Sequence, residues 1–307
     1  MTTKPTRTPA TDPDSPIEHD VAVVGGGASG LAAAVFVARY GLDTTVFDGG
    51  KAAITQCAHV ENYLGFPGGI SPNRFLDLGR AHATHEGVEV VDDRVTAVRP
   101  HENEGAFLVE TAERECLAER VVVAAAYDET VLAPVAEALD ESEDVEADAD
   151  DLFVPTDDGR TAVDGLYVAG WMSDETAHQV GINAGHGSRV GLTLARDHMS
   201  ERYWPAVGER YVDWVVHDGR YGGEGWDEHV DEWFDREMLP ADHDLDSEAI
   251  AAAREDLKAE FLGRCLDEDE RRQRDRAGQR ELLEHVDDDL IREHVTELEG
   301  TDTTHAN

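Results

Sequence analysis

The stretch DVAVVGGGASGLAAAVFVARYGLDTTVFD, residues 20–48, decides the fold. Asp20 to Val24 is a short apolar run of strand type. Gly25 to Gly30 is a glycine-rich turn, Leu31 to Tyr40 a helix of small residues closed by Gly41, and Thr44 to Asp48 a second strand. Strand, turn, helix and strand make one βαβ unit, the opening of a Rossmann-like α/β domain. The pattern Gly25-x-Gly27-x-x-Gly30 follows a strand and opens a helix, the context in which that spacing carries meaning. Gly25 permits the tight turn, Gly27 lets a pyrophosphate approach the backbone, and Gly30 lets helix and strand pack closely. The helix start supplies free amides and partial positive charge. Asp48, about twenty residues downstream, is placed to accept hydrogen bonds from the ribose hydroxyls of an adenosine, and it would repel a 2′-phosphate. Three glycines that merely make a turn would leave strand, helix and acid unexplained, so a dinucleotide is the expected ligand.

From Val88 to Ala126 the pattern switches to short strands: Val88 to Val91, Arg94 to Val98, Ala106 to Thr111 and the apolar run Val121 to Ala126, read as an antiparallel meander returning to a buried strand. Glu141 to Asp151 is an acidic linker. Leu152 to Thr156 and Leu166 to Ala169 are strands flanking the turn Asp157-Asp158-Gly159, and a helix of small residues runs from about Gln179 to Arg196. Past His198 the chain becomes rich in Trp, Arg and Glu. Ile250, Ala253, Leu257, Phe261 and Cys265 share one helical face there, with Asp246 or Ser247 as N-cap. Gly219 to Gly225 has no βαβ context and reads as a loop. The expected organisation is a flexible arm over 1–18, a dinucleotide domain over 19–199 and an acidic helical domain over 200–307.

The 307 residues carry 67 acidic against 26 basic side chains, a net charge of −41, spread along the chain. Phosphate repulsion disfavours nucleic acid as a partner. Solvation in a salt-rich cytoplasm explains such a surface better than recognition of a basic partner. Cys57, Cys116 and Cys265 are widely spaced with no C-x-x-C, so neither a disulfide framework nor a dithiol pair is expected, as suits a reducing cytosol. The longest apolar run, Leu31 to Ala38, is far too short to span a membrane, and the Pro- and Thr-rich start does not resemble a signal peptide. His82 and His85 have helical spacing but no accompanying carboxylate pattern, and no metal is expected.

FAD and NAD share the first half-site, and later motifs discriminate. Thr161-Ala-Val-Asp-Gly-Leu-Tyr-Val-Ala-Gly170 is a turn, a strand and a terminal glycine. Together with Glu61-Asn62-Tyr63-Leu64-Gly65-Phe66-Pro67-Gly68-Gly69-Ile70 and with the run from His178 and Gln179 to Gly185-His186-Gly187, it resembles thioredoxin reductase-like flavoproteins from roughly Asp20 to Asp197. The resemblance implies an FAD-binding Rossmann-like domain of the glutathione-reductase type with a β-meander, followed here by a mainly α-helical C-terminal region. It implies that Gly25, Gly27, Gly30 and Asp48 hold the ADP half of FAD, that Asn62 sits near the isoalloxazine, and that Gly170 lies beside the cofactor. Gln179 would start a helix whose dipole faces the pyrimidine edge of the flavin, where negative charge accumulates on reduction. Gly185 and Gly187 would allow backbone to approach cofactor or sheet. A homodimer is implied by resemblance alone.

The sequence departs from that family in three places. Its members insert a second nucleotide domain, which carries their dithiol, between the two halves of the FAD domain. Here only the segment from Tyr127 to Arg160 is available, too short for such a domain. Trp171 stands where members place an aspartate, with Asp174 a candidate substitute, and Ala124-Ala125-Ala126 replaces a Thr-Gly motif. Neither bound NADPH nor thioredoxin reduction is therefore implied. Cys57 falls in a loop that passes near the flavin in the family, where a thiolate could attack a disulfide; the plainer alternative is a small apolar residue in a loop. His59 and His178 are candidate proton donors, or else ordinary surface histidines. Trp204, Trp214, Trp226 and Trp233 are expected as core anchors that cover the surface freed by the missing domain.

Three functions stay open: an FAD-dependent oxidoreductase reduced by an external donor (a nicotinamide, a redox protein or a thiol), a non-catalytic FAD redox sensor that binds a partner, and a binder of NAD or another adenylated metabolite. The charge makes one prediction independent of all three. Between about 0.1 M and about 1 M salt the Debye length falls from roughly 10 Å to roughly 3 Å. The thermal midpoint is expected to rise across that range, and a salt-independent midpoint would contradict adaptation to salt.

Overall fold

The structure is a computed structural model that describes residues 17–101, 105–126, 129–139, 154, 156–174, 177–210 and 216–302. Residues 1–16 of the expected arm, the whole acidic linker and Trp214 lie outside the described residues, and the arm's last two positions, 17 and 18, already belong to the first strand. Contacts divide the chain into two units, Met1–Val215 with Phe234–Ala249, and Val216–Trp233 with Ile250–Asn307.

In the first unit, β1 (Ile17–Val24), α1 (Ala28–Arg39), β2 (Thr44–Phe47), α2 (Pro72–His85) and β3 (Glu89–Val91) follow in order. Next come β4 (Val95–Pro100), β5 (Phe107–Thr111), β6 (Glu115–Val123), the short α3 (Ala136–Leu139) and β7 (Leu166–Val168). Helices α4 (Val180–Arg202) and α5 (Pro205–Arg210) complete its first segment. The seven strands form one sheet in the order β3-β2-β1-β6-β5-β4, with β7 also paired to β6. β6 has nine residues and serves three partners: β1 runs parallel to it from Cys116 to Val123, and on its other side β5 pairs antiparallel over Glu115–Ala118 and β7 parallel over Val121–Val123. The meander is therefore β4-β5-β6. Val88 to Val91, expected as its first strand, instead supplies β3, parallel to β2 at the opposite edge of the sheet. The reason is α2, which the short-strand reading passed over. Ser71 caps it by accepting from the Arg74 amide, Pro72 occupies its first turn, and it carries the chain over the sheet as a second crossover.

Alternation along the strands sorts the core into two layers. Val21, Val23, Val122 and Tyr167 face α1 and α4, together with Leu31, Val37, Val190 and Leu194. Ala22, Val24, Val121 and Val123 face the other way, onto Val98, Phe107, Val109 and Leu132. Around residue 154 only Val154 and Thr156 are described, and Val154 forms an isolated parallel bridge with Ser173.

Helix α4 crosses α1 at backbone distance. A Cβ on Gly187 would lie 2.1 Å from the Ser29 carbonyl oxygen, and one on Gly191 would lie 2.7 Å from that of Ala33. Gly187 is thus explained by helix-on-helix approach and not by sheet or cofactor, while a Cβ on Gly185 would meet nothing within 4 Å. Trp204 is buried, donates from Nε1 to the Met238 carbonyl at 2.6 Å and meets Phe234 edge-on.

The second unit contains the strands β8 (His217–Asp218) and β9 (Cys265–Leu266), paired parallel. Helix α6 (Trp226–Glu237) and helix α7 (Ser247–Gly263) each run across the contact boundary between units, and α8 (Glu268–Glu284) and α9 (Asp288–Asp302) follow. Asp246 accepts from the Ala249 amide and so is the N-cap of α7. Ala253 and Leu257 are the buried residues of its expected apolar face. Trp226 and Trp233 are half-buried and lie near Phe261.

The α1–α4 crossing generates the second prediction. Gly191→Leu forces a side chain into the Ala33 backbone, an overpacking expected to cost about 1–3 kcal/mol. The thermal midpoint should fall by several degrees, whereas the same change at Gly185, which faces open space, should leave it nearly unmoved.

Candidate functional site

The parallel strands end in register, with Val24 beside both Phe47 and Val123, and Val123 beside Val168. Beyond those carboxyl ends lies a cleft of about 400 Å³, lined by Gly25 to Ser29, Asp48, Cys57, Ala124 to Ala126, Trp171 and His178 to Val180, among others. That is where an open α/β sheet binds ligands.

Each glycine of the turn has a distinct surrounding. Gly25 has φ +114°, and a Cβ there would lie 2.5 Å from the Ala124 carbonyl oxygen. A Cβ on Gly30 would lie 1.9 Å from the Gly25 carbonyl oxygen, so helix and turn pack backbone to backbone. Gly27 differs, since its nearest neighbour would be the Ala52 Cβ at 3.9 Å. Its missing side chain leaves the cleft wall open. Gly27 is also the N-cap of α1, and no side chain caps that helix, so the first-turn amides are left for a ligand.

Asp48 sits at the end of β2 with its carboxylate held from two sides. Oδ1 accepts from the Gly50 amide at 2.9 Å and Oδ2 from Arg80 on α2 at 2.5 Å. Arg80 reaches on to Asp92 at 2.5 Å. Gly26 makes room for the carboxyl, because a Cβ there would lie 2.3 Å from its Cγ.

Asn62 and Gln179, far apart in sequence, meet directly: the Asn62 amide donates to Gln179 Oε1 at 2.8 Å. Gln179 is the N-cap of α4 and lines the cleft; Asn62 reaches the cleft only through it. Asn183 secures this helix start by donating to the carbonyls of Ala177 at 2.6 Å and Gln179 at 2.9 Å. His178 lies over Trp171 with ring centroids 4.1 Å apart and planes tilted by 36°. Gly170 has φ +78°, and a Cβ there would lie 2.4 Å from Ser29 Oγ. Its amide donates to Nδ1 of the buried His186 at 3.1 Å, which makes Nδ1 the acceptor and places the proton of the neutral ring on Nε2. Asp174 is exposed and bonded to Thr156 rather than placed at the cleft.

Of the three cysteines, Cys57 is exposed and lines the cleft, Cys265 is half-buried, and Cys116 is buried with its thiol pushed up to about 12 by desolvation. His59 packs against Gly69, where a Cβ would lie 2.4 Å from the ring. Among the described residues no group of His, Cys, Asp and Glu could hold a metal, and no helix is long and apolar enough to cross a membrane.

Sequence reasoning missed Arg80, Asn183 and His186. Asn183 and His186 lie within the run His178–Gly187 but carry no role there by spacing, and Arg80 belongs to no motif. Arg80 and His186 matter through partners that only the crossing of α2 and α4 over the sheet brings near.

Comparison with known proteins places this geometry. Residues 19–125 match the family described as "Pyridine nucleotide-disulphide oxidoreductase". Thioredoxin reductase of Streptomyces coelicolor is 37% identical over 83 residues, 26% of this chain and 26% of that protein. Mitochondrial thioredoxin reductase of Kluyveromyces lactis is 29% identical over 89 residues, 27% of this chain and 26% of that protein. The chain thus spans about a quarter of the length of the curated relatives it matches. Among solved structures, a thioredoxin reductase from Gloeobacter violaceus superposes with TM-score 0.50 at 17% identity, covering 61% of this chain and 97% of that one. One from Streptococcus pyogenes gives TM-score 0.50 at 13% identity, covering 62% and 100%. The uncapped amides of α1, the open wall at Gly27 and the positioned carboxylate of Asp48 fit the ADP half of FAD. Over residues 19–125 the chain is thus similar to the pyridine nucleotide-disulphide oxidoreductases, and it shares the fold of the solved thioredoxin reductases.

Proposed function

We propose that this protein is an FAD-dependent oxidoreductase whose flavin is reduced by an external donor and reoxidised by an acceptor yet to be identified. One observation carries the reading: a single cleft joins the uncapped start of α1 and Asp48 to the start of α4 at Gln179. In this reading the amides at Gly27 to Ser29 hold the pyrophosphate, Asp48 accepts from the adenosine ribose, and Arg80 keeps that carboxylate aimed. Gln179, oriented by Asn62, and the free amides of α4 present partial positive charge to the flavin. FAD supplies two-electron redox chemistry when bound. His178 on Trp171 forms one rim of the cleft, where an imidazole could hold or release a proton. Cys57, on another part of the lining, is the one cysteine at the cleft among the described residues.

The donor is external in this reading because the described residues contain no second glycine-rich βαβ unit; β6 and β7 are neighbours in one sheet. A nicotinamide, a small redox protein or a thiol could serve. The absence of a second cysteine beside Cys57 favours a second reading, a flavin-based redox sensor that does not turn over. The acidic composition supports a salt-rich cytoplasm as the setting.

Two measurements test this. An absorption spectrum of protein purified in high salt should show flavin, and anaerobic titration with NADH or NADPH should bleach it. Flavin that neither nucleotide reduces would move the reading to a protein or thiol donor or to the sensor. A colourless protein that cannot be loaded with FAD would overturn it. Asp48→Ala removes the ribose acceptor and leaves Arg80 held by Asp92 alone of its two carboxylates. Hydrogen bonds to a charged group contribute about 1.5–3 kcal/mol, so FAD should bind roughly ten- to a hundredfold more weakly by fluorescence titration.

A further inference from the structure

Ser29, in the first turn of α1, is 8% exposed, and Asn183, in the first turn of α4, is 7% exposed; both line the cleft. The bonds of the Asn183 amide fix its orientation. Nδ2 has two protons and uses both, donating to the carbonyls of Ala177 at 2.6 Å and Gln179 at 2.9 Å. The amide is planar, so Oδ1 is turned to the other side, toward Gly170. A Cβ on Gly170 would lie 3.4 Å from Asn183 Oδ1 and 2.4 Å from Ser29 Oγ. Among the described residues neither Oδ1 of Asn183 nor Oγ of Ser29 has a hydrogen-bond partner. Buried polar atoms are ordinarily bonded, and these two border a cleft, where a ligand can supply the missing bonds.

Packing brings the pair together. Gly187 presses bare backbone onto the Ser29 carbonyl, and Asn183 stands one turn earlier on the same face of α4. Helical side chains lean toward the N-terminus, which carries the Asn183 amide past Ser29 toward the cleft. Chemistry then narrows what the pair can hold. Oδ1 is a neutral acceptor, and Oγ both donates and accepts, a combination matched to neighbouring hydroxyl groups and not to a charged group. Asp48, the one carboxylate among the described lining residues, lies at the end of β2.

We propose that Ser29 and Asn183 form a hydroxyl-binding pair that holds the polyol chain of FAD. The inference rests on the FAD reading, in which the start of α1 holds the pyrophosphate and the start of α4 faces the flavin. The part of FAD between those two groups is an open chain of hydroxyls. Asn183 Oδ1 accepts from one hydroxyl, and Ser29 Oγ exchanges a hydrogen bond with its neighbour. Asn183 thus works from both ends of its amide, the nitrogen tying down the carbonyls before α4 and the oxygen gripping the ligand.

The test is titration calorimetry on the full chain in molar salt with two probes, FAD, which carries the polyol, and ADP, which lacks it. Ser29→Ala should weaken FAD about two- to tenfold and leave ADP unchanged. Asn183→Ala should weaken FAD at least as much, again with ADP unchanged. Ser29→Ala removes a single oxygen and leaves α4 intact, so it keeps the test decisive if Asn183→Ala fails to fold, which far-UV circular dichroism reports. FAD affinity that neither variant lowers, or a loss equal for ADP and FAD, would overturn the proposal and leave the FAD reading standing. A native chain that binds ADP but not FAD would overturn that reading and the proposal with it.

Discussion

Everything in the first unit follows from how closely α1 and α4 lie. Two helices ordinarily sit 8–10 Å apart because side chains separate them. Here Gly187 and Gly191 present bare backbone to the Ser29 and Ala33 carbonyls, and Gly30 does the same within the turn. The two helices therefore share one layer over the sheet, and their N-termini open on the same side. Had α4 stood farther out, Gln179 would not line a cleft with Gly27, and the amides of the two helices could not serve one ligand.

The cleft is organised before any ligand arrives. Asp48 is fixed by the Gly50 amide and by Arg80, so a ribose would meet a carboxylate already aimed. The same holds at the start of α4, where Asn62 orients Gln179 and Asn183 ties down the preceding carbonyls. At Gly170 the backbone amide is satisfied by His186 beneath it. Each of these bonds lowers the cost of ordering the site on binding.

The local elements were legible in sequence wherever one period governs one element. Residues 20–48 fold as their pattern demands, because strand, turn, helix and strand succeed each other with no long-range choice to make. The glycines of the turn, Asp48 and Gln179 lie at one cleft for the same reason: they terminate elements. Val88 to Val91 was misplaced because its apolar run fits either edge of a sheet, and only the crossover through α2 decides between them. Arg80 and His186 were invisible because their roles depend on partners 32 and 16 residues away. Asn62 was placed near the flavin by resemblance, and its actual bond to Gln179 spans 117 positions, beyond the reach of any local pattern.

The few cations of this acidic chain are distributed to a purpose in the first unit. Arg39 joins α1 to Glu86, Arg80 joins α2 to Asp48 and Asp92, and Arg160 holds Asp197 of α4 through two bonds of 2.8 Å. Tyr167 donates to that same Asp197 at 2.8 Å and keeps its own proton, its phenol raised by desolvation first and by the carboxylate second. The buried Arg120 reaches Glu201 near the end of α4. Each pair links elements distant in sequence, and salt would screen the exposed ones while sparing Arg120 most. Repulsion among the remaining carboxylates opposes compaction, and these pairs between distant elements are where the few cations offset it.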